Sequence, residues 1–187
     1  MNAELLTTDS SDREIIIRQA SRLFTYVRDV HYMLGLNGDP KKLFIEHAGN
    51  CTRKHLFLLP RLQSLGYRVT LGIAEFNWRD MPIPSNILSL LKDPIDTHLF
   101  LYVSRGNDEI VLDASWDKGM PNEFVVNEWD GSNSTPLGVP AINIRKENYT
   151  LFRAHAVAGT SIGFIRDSLN RNRPTPFNDA FNNWLGR

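Results

Sequence analysis

The sequence predicts an α+β fold in which N-terminal helices pack on a small antiparallel β-sheet. Apolar residues recur at helical spacing in the first third of the chain. From residue 67 onward the pattern changes to alternating or short apolar runs, and two of these runs flank a hairpin turn. Helices therefore come first and strands joined by hairpins follow. This order favours an α+β fold over alternating βαβ units.

The first element is a helix over about 12–34, which Ser11 or Asp12 can cap and Gly35 can end. Its apolar face consists of residues at steps of three and four, namely Ile16, Ala20, Leu23, Val27, Val30 and Leu34. Asp39 and Pro40 then favour a short helical turn that continues to Phe44. These patterns predict a helical N-terminal layer.

A second helix is expected from Cys51 to Gly66, with apolar residues again at steps of three and four. Pro60 lies inside this span, so the helix is expected to kink or to break into two pieces. The segment 67–76 alternates apolar and polar residues and predicts a half-buried strand. The remaining expected elements are a short helix over 85–91, hairpin strands over 98–103 and 109–112, short strands over 124–126 and 141–145, and two helical pieces after residue 160 that are separated by 173–176.

The composition is that of one ordinary globular domain. The 187 residues are 42% hydrophobic, enough for a substantial core, and contain no internal repeat or long linker. We expect a single domain over 1–187, with a core over about 12–146 and a C-terminal helical extension over about 160–187. Since one cysteine can form neither an internal disulfide nor a cysteine-rich zinc site, a secreted disulfide scaffold is excluded.

The net charge and the absence of targeting motifs restrict the classes of partner and the location that we expect. The 21 basic and 21 acidic residues balance, which argues against nucleic acid or an anionic membrane surface as the main ligand. Residues 1–13 lack a basic segment followed by an apolar one, and no apolar run approaches the length of a membrane span. The expected location is cytoplasmic. Neither a phosphate-binding glycine loop nor a dinucleotide motif occurs, so no cofactor is expected.

The single cysteine is the main candidate for chemistry. Cys51 follows Gly49 and Asn50 at the predicted start of a helix, where unpaired backbone N–H groups stabilise an anion and favour the nucleophilic thiolate. The small Gly49 is expected to let a substrate approach the backbone. The alternative is an inert core thiol, because Cys51 also opens the apolar stripe of its helix and free cysteines are often buried.

The predicted hairpin places a histidine next to an aspartate on the same face of the sheet. If residues 104–107 form a four-residue loop, His98 lies directly opposite Asp113. If Gly106 and Asn107 alone form the turn, His98 lies opposite Ser115, and Asp113 is its diagonal neighbour on the same face. Both registers pair an imidazole with a carboxylate, an arrangement that orients the ring and stabilises its protonated form. An ordinary cross-strand polar pair is the alternative.

The order and surroundings of these residues resemble the transglutaminase-like branch of the papain-like thiol enzymes. The resemblance covers about 42–117 and lies in the glycine–x–cysteine turn at 49–51, the histidine that opens one strand and the aspartate that closes the next. It implies a Cys-His-Asp catalytic triad, with Cys51 as nucleophile, His98 as general base and acid, and Asp113 as the orienting carboxylate. It also implies a cysteine peptidase, amidase or acyltransferase that acts on a peptide, protein or small amide through a thioester.

The sequence departs from the family pattern in the oxyanion hole. The glutamine that the papain branch uses a few residues before its cysteine is absent, and Ile45 and Glu46 occupy that region. The backbone N–H of Cys51 can supply one donor, and the second is unassigned. Asn50, Trp78 and Trp116 are the candidate substrate-binding residues. These departures leave open a catalytically inactive domain of the same fold that binds a protein or peptide.

Two other motifs compete with this interpretation. Residues 159–163 match the G-x-S-x-G pattern of serine hydrolases, but all five histidines precede Ser161, which is the wrong chain order for that fold. His47, Cys51 and His55 occur at steps of four, yet they supply too few ligands for zinc. We expect no metal site, and we expect His55 to be packed or to face solvent on the helix flank.

Overall fold

The computed structural model describes residues 10–147 and 175–187 and has an α+β architecture. The helices and strands in chain order are α1 (Ser10–Arg28), β1 (His31–Tyr32), β2 (Ala48–Gly49), α2 (Cys51–Ser64), β3 (Arg68–Asn77), α3 (Ser85–Leu88), β4 (Ile95–Ser104), β5 (Glu109–Leu112), β6 (Ile142–Glu147) and α4 (Pro176–Trp184). Short 3-10 helices occupy Pro40–Lys42 and Trp78–Asp80. Among the described residues, every helix is too short or too polar to cross a bilayer.

The main sheet has four antiparallel strands in the order β5-β4-β3-β6. Helix α2 packs on its two central strands, β3 and β4, and α1 packs on α2. The main core lies between these layers and includes Phe24, Leu58, Leu62, Leu71 and Leu101, all fully buried. The expected arrangement of N-terminal helices on a small antiparallel sheet is therefore confirmed.

Helix α1 ends earlier than the apolar spacing predicts. It stops at Arg28 rather than near Leu34, because the next residues become extended and His31–Tyr32 pairs in parallel with Ala48–Gly49. Val30 remains buried but is not part of the helix. The two-stranded pairing is a long-range contact that helical periodicity alone does not reveal.

Helix α2 is one continuous helix from Cys51 to Ser64, with Pro60 inside it. Of the kink or break expected at Pro60, the break into two pieces is therefore wrong. The helix bears the fully buried Leu58, Leu59 and Leu62 on both sides of the proline. Burial of this face against the sheet offsets the backbone hydrogen bond that a proline cannot donate.

The hairpin of β4 and β5 has a register that the sequence left open between two possibilities. Leu101 pairs with Leu112 and Ser104 pairs with Glu109, so the loop consists of residues 105–108. This is the register in which position 98 lies opposite position 115, with Asp113 on the diagonal. It arises here from a four-residue loop, shifted by one residue from the one proposed.

The segment that follows β5 is irregular, and the expected strand over 124–126 is wrong. Its backbone carbonyls accept hydrogen bonds from side chains, whereas those of a strand would accept them from a neighbouring strand. The Asn127 amide donates to the carbonyls of Asp113 and Pro136 at 2.8 Å each, and Arg28 donates to the Asn127 carbonyl at 2.6 Å. The expected strand over 141–145 forms at Ile142–Glu147. The first helical piece of the tail and the G-x-S-x-G motif lie outside the described residues.

The C-terminal helix α4 is held by a buried ion pair. Both terminal guanidinium nitrogens of Arg187 contact the Asp117 carboxylate at 2.6 Å, and one of them also donates to the Tyr32 carbonyl at 2.7 Å. The side chains of Arg187 and Asp117 are only 7% and 2% exposed. Asn182 adds two hydrogen bonds to the backbone of Leu34. These contacts fix α4 beside β1 and beside the segment that follows β5.

We predict that Arg187→Ala lowers the free energy of unfolding by about 3 kcal/mol, because it leaves the Asp117 carboxylate buried without its partner. Arg187→Lys should recover part of this loss, since an ammonium cannot contact both carboxylate oxygens in the same way. Urea denaturation measures both values. Arg18→Ala is the matched control: its ion pair with Glu14 is exposed and should be worth about 0.5 kcal/mol or less. Equal losses in the two alanine variants would contradict the anchoring role of Arg187.

Candidate active site

Cys51 is the first residue of α2 and has a helix terminus arranged around it. The Asn50 side chain accepts a hydrogen bond from the Arg53 N–H at 2.9 Å, and the Asn50 carbonyl accepts one from the Lys54 N–H at 3.1 Å. The N–H groups of Cys51 and Thr52 precede the first intrahelical donor and have no partner within the helix. The positive end of the helix dipole therefore lies at the Cys51 thiol.

Gly49 has a packing role rather than the substrate-access role expected from sequence. It is buried in the β1–β2 pair, and a Cβ atom there would lie 2.5 Å from Leu43 Cδ1. The missing side chain thus lets Leu43, which follows the 3-10 helix Pro40–Lys42, pack directly against the residues that lead into Cys51. The position of Cys51 at the helix start agrees with the sequence prediction.

His98 and Asp113 form a short, buried hydrogen bond. The distance between His98 Nε2 and Asp113 Oδ2 is 2.6 Å, and their side chains are 3% and 0% exposed. The carboxylate also accepts backbone hydrogen bonds from Gly138 at 2.8 Å and from Ser115 at 3.0 Å. It is therefore held from three directions, and the ring of His98 has a fixed partner on one side.

The remaining side of the His98 ring faces the thiol. Cys51 lies close enough to His98 to contribute to the shift in the pKa of that histidine, and because Asp113 occupies Nε2, Nδ1 is the ring nitrogen left for the thiol. Burial by itself lowers the pKa of His98, but the charge and hydrogen bond of Asp113, reinforced by Cys51, outweigh it and raise that pKa to about 10. The structure thus brings together the three residues selected as catalytic from sequence.

His55 is a site residue whose role the sequence did not reveal. Its Nε2 accepts the Ala114 N–H at 2.8 Å, which leaves the proton on Nδ1, and Nδ1 donates to the Cys51 carbonyl at 2.8 Å. Burial lowers the pKa of His55 to about 4, although the nearby Asp113 opposes this shift. A neutral, fully buried His55 therefore connects the backbone of Cys51 to the residue after Asp113. The step of four from Cys51 was the available signal, but helical spacing does not identify the partner outside the helix.

Lys54 adds a second connection between the same segments. Its ammonium donates to the Arg28 carbonyl at 2.9 Å and to the Ser115 carbonyl at 2.8 Å. The side chain is fully buried, and this burial lowers the pKa of Lys54 to about 7 despite the nearby carboxylates of Asp117 and Asp113. Consecutive residues of α2 thus hold consecutive residues of the segment that carries the aspartate.

The thiol and the imidazole line a cavity of about 570 Å³. The three candidate substrate-binding residues, Asn50, Trp78 and Trp116, all line it as well. Their side-chain N–H groups already donate within the protein: Asn50 to the Leu36 carbonyl, Trp78 to Asp96 and Trp116 to the Gly138 carbonyl. Both indoles are almost fully buried, and they offer mainly aromatic surface to a ligand.

The residues that line the cavity come from distant parts of the chain. Apolar walls are formed by Leu34, Phe76, Trp78, Trp116, Val139 and Phe177. Phe177 belongs to α4, so the anchored C-terminal helix supplies one wall. This volume and apolar lining are typical of a small-ligand or side-chain binding site.

No metal site emerges from residues 10–147 and 175–187, where no three histidine, cysteine, aspartate or glutamate side chains are grouped to hold an ion. His55 is occupied by the two hydrogen bonds described above. His47 is exposed, precedes β2 and has a φ of 49°. The spacing of His47, Cys51 and His55 thus does not produce a common ligand set.

Comparison with known proteins identifies no relative: no family model, curated protein or solved structure matches this chain.

We predict opposite titration behaviour for the two buried histidines. NMR of the ring nuclei should show His98 losing its proton only near pH 10 and His55 remaining neutral down to about pH 4. The ordinary pKa of histidine is about 6.5. The raised pKa of His98 therefore stabilises the fold below pH 6.5, a contribution lost as pH rises through 10. The lowered pKa of His55 costs stability as pH falls from 6.5 to 4.

Cys51→Ala is the control for the site assignment. Because the charge and hydrogen bond of Cys51 raise the pKa of His98, this variant should lower that pKa and leave His55 neutral. A His98 that titrates near pH 6.5 in the wild-type protein would contradict the assignment.

Proposed function

We propose that this protein is a thiol-dependent acyl-transfer enzyme that cleaves or transamidates an amide bond of a peptide, a protein or a small amide. The observation that supports this most directly is the proximity of Cys51 and His98 at the cavity, together with the hydrogen bond of 2.6 Å between His98 and Asp113. A nucleophile, a base and a residue that orients the base are the parts that covalent acyl transfer requires.

In the acylation step, Cys51 reacts as a thiolate and His98 as an imidazolium. The Cys51 sulfur attacks the carbonyl carbon, and the carbonyl π electrons move to the oxygen, which becomes an oxyanion. The imidazolium of His98 then gives its proton to the amine nitrogen as the carbon–nitrogen bond breaks. A thioester, a neutral imidazole and a free amine result. The Asp113 carboxylate keeps the ring oriented and stabilises its protonated form throughout.

Deacylation reverses the proton transfer. His98 takes a proton from water or from an acceptor amine, and the oxygen or nitrogen attacks the thioester carbon. The carbon–sulfur bond breaks, the sulfur leaves as a thiolate, and the imidazolium is restored. Hydrolysis and transamidation differ only in the acceptor. The papain-like, transglutaminase-like topology is part of this proposal, supported by the order helix with cysteine, strand with histidine, and strand followed by aspartate.

We predict that Cys51 reacts rapidly with iodoacetamide at pH 6 and that this reactivity depends on the imidazolium of His98 beside it. His98→Gln should slow alkylation at this pH by a factor of about 10 or more, whereas His31→Gln, at an exposed histidine, should not change it. Mass spectrometry of the Cys51 peptide follows the reaction. Equal rates in the wild type and in His98→Gln would refute the activated nucleophile.

We further predict that p-nitrophenyl acetate acetylates Cys51 with release of p-nitrophenol. Asp113→Asn should lower the acylation rate by about 10²-fold or more, because an amide does not stabilise the imidazolium in the same way. Asp108→Asn, in the exposed hairpin loop, is the matched control and should retain the wild-type rate. The proposed enzyme is ruled out if the wild type and Cys51→Ala release p-nitrophenol equally fast, and a binding domain of the same fold is then the better description.

A further inference from the structure

The cavity contains a tyrosine that the triad does not use. Tyr32 lines the cavity together with Cys51 and His98 and is 3% exposed. It belongs to β1, where it pairs with Gly49, two residues before the nucleophile. This parallel pairing holds the tyrosine next to the turn that presents the thiol.

Several contacts fix the position of Tyr32. Its backbone N–H donates to the Asp117 carboxylate at 2.6 Å, and its carbonyl accepts from Arg187 at 2.7 Å. Its ring lies against the Trp116 indole, with centroids 4.3 Å apart, and contacts Phe181 edge-on. The residue is therefore held on a rigid frame, which is what a group that must be aligned in advance of a reaction requires.

Within the described parts of the chain, the hydrogen bonds of Tyr32 all use its backbone. The other aromatic or amide donors identified at this cavity, on Asn50, Trp78 and Trp116, already donate to protein acceptors. The Tyr32 hydroxyl is thus a side-chain donor at this cavity for which no such bond is seen among the described residues.

The electrostatics of Tyr32 favour a donor role. Burial, followed by the nearby charge of Cys51, raises the pKa of Tyr32 well above its ordinary value. The hydroxyl therefore keeps its proton at neutral pH. A protonated phenol can donate to a new anion at this position.

We infer that the Tyr32 hydroxyl is the second hydrogen-bond donor of the oxyanion hole, alongside the Cys51 backbone N–H, and is a catalytic residue. The inference rests on the proposed acyl-transfer function. When the thiolate adds to the carbonyl, the oxygen gains a full negative charge. The helix terminus supplies one N–H, and the phenol supplies the O–H that replaces the glutamine used in the papain branch.

The test compares two reactions of the same thiol. Acylation by p-nitrophenyl acetate passes through a tetrahedral oxyanion. Alkylation by iodoacetamide displaces iodide at a saturated carbon and forms none. Tyr32→Phe keeps the ring contacts with Trp116 and removes only the hydroxyl. We expect this variant to acylate about 10²-fold more slowly than the wild type and to alkylate at the wild-type rate.

Tyr26→Phe is the matched control, since Tyr26 is 64% exposed and lies outside the cavity. It should leave both rates unchanged. The inference is overturned if Tyr32→Phe acylates at the wild-type rate, or if it slows acylation and alkylation equally, because the hydroxyl would then act on the thiol or the fold. A wild-type protein that is alkylated but never acylated at Cys51 would overturn both the proposed function and this inference. Normal acylation in Tyr32→Phe would overturn the inference alone.

Discussion

The site depends on how the first turn of α2 is fixed to the segment that follows β5. Cys51 and Asp113 are far apart in sequence, and no β-ladder joins them directly. The neutral imidazole of His55 connects the Cys51 carbonyl to the Ala114 N–H, and the Lys54 ammonium holds the Ser115 carbonyl. Because both side chains are fully buried, the distance between Cys51 and Asp113 is set by hydrogen bonds in a low-dielectric interior, where such bonds are strong and directional.

Buried groups that lie close together in this region have pKa values shifted in opposite directions. Burial lowers the pKa values of Lys54 and His55, while the Asp113 carboxylate reverses the effect for His98 alone. The difference is one of contact, since Asp113 Oδ2 lies 2.6 Å from His98 and Asp113 Oδ1 lies 3.7 Å from His55. Two histidines whose ring centroids are 6.4 Å apart thereby acquire different protonation states. One is suited to proton transfer and the other to holding the backbone.

Much of the architecture follows from local pattern. The helix at Cys51, the strand near 68–77 and the β4–β5 hairpin occur where spacing and turn residues predict them. The secondary-structure predictions fail where contacts between residues distant in sequence determine the backbone conformation. The α1 helix ends at Arg28 because Tyr32 finds a strand partner in Gly49. The segment 124–126 stays irregular because the Asn127 amide and Arg28 satisfy the surrounding carbonyls. In each case a distant partner outweighs the local preference.

The sequence alone indicated the residues that we propose carry the chemistry: one cysteine at a helix start, and a histidine and an aspartate brought close by either hairpin register. Period-two alternation and the anionic preference of a helix terminus are local properties, so they can be derived from residue order. Only the tertiary structure places the cysteine next to the histidine and lets His55 hydrogen-bond to the backbone on both sides of the site. It also places Tyr32 and α4 at the same cavity. These contacts depend on how separate elements pack, and the free energy of that packing is not encoded in the spacing of any one segment.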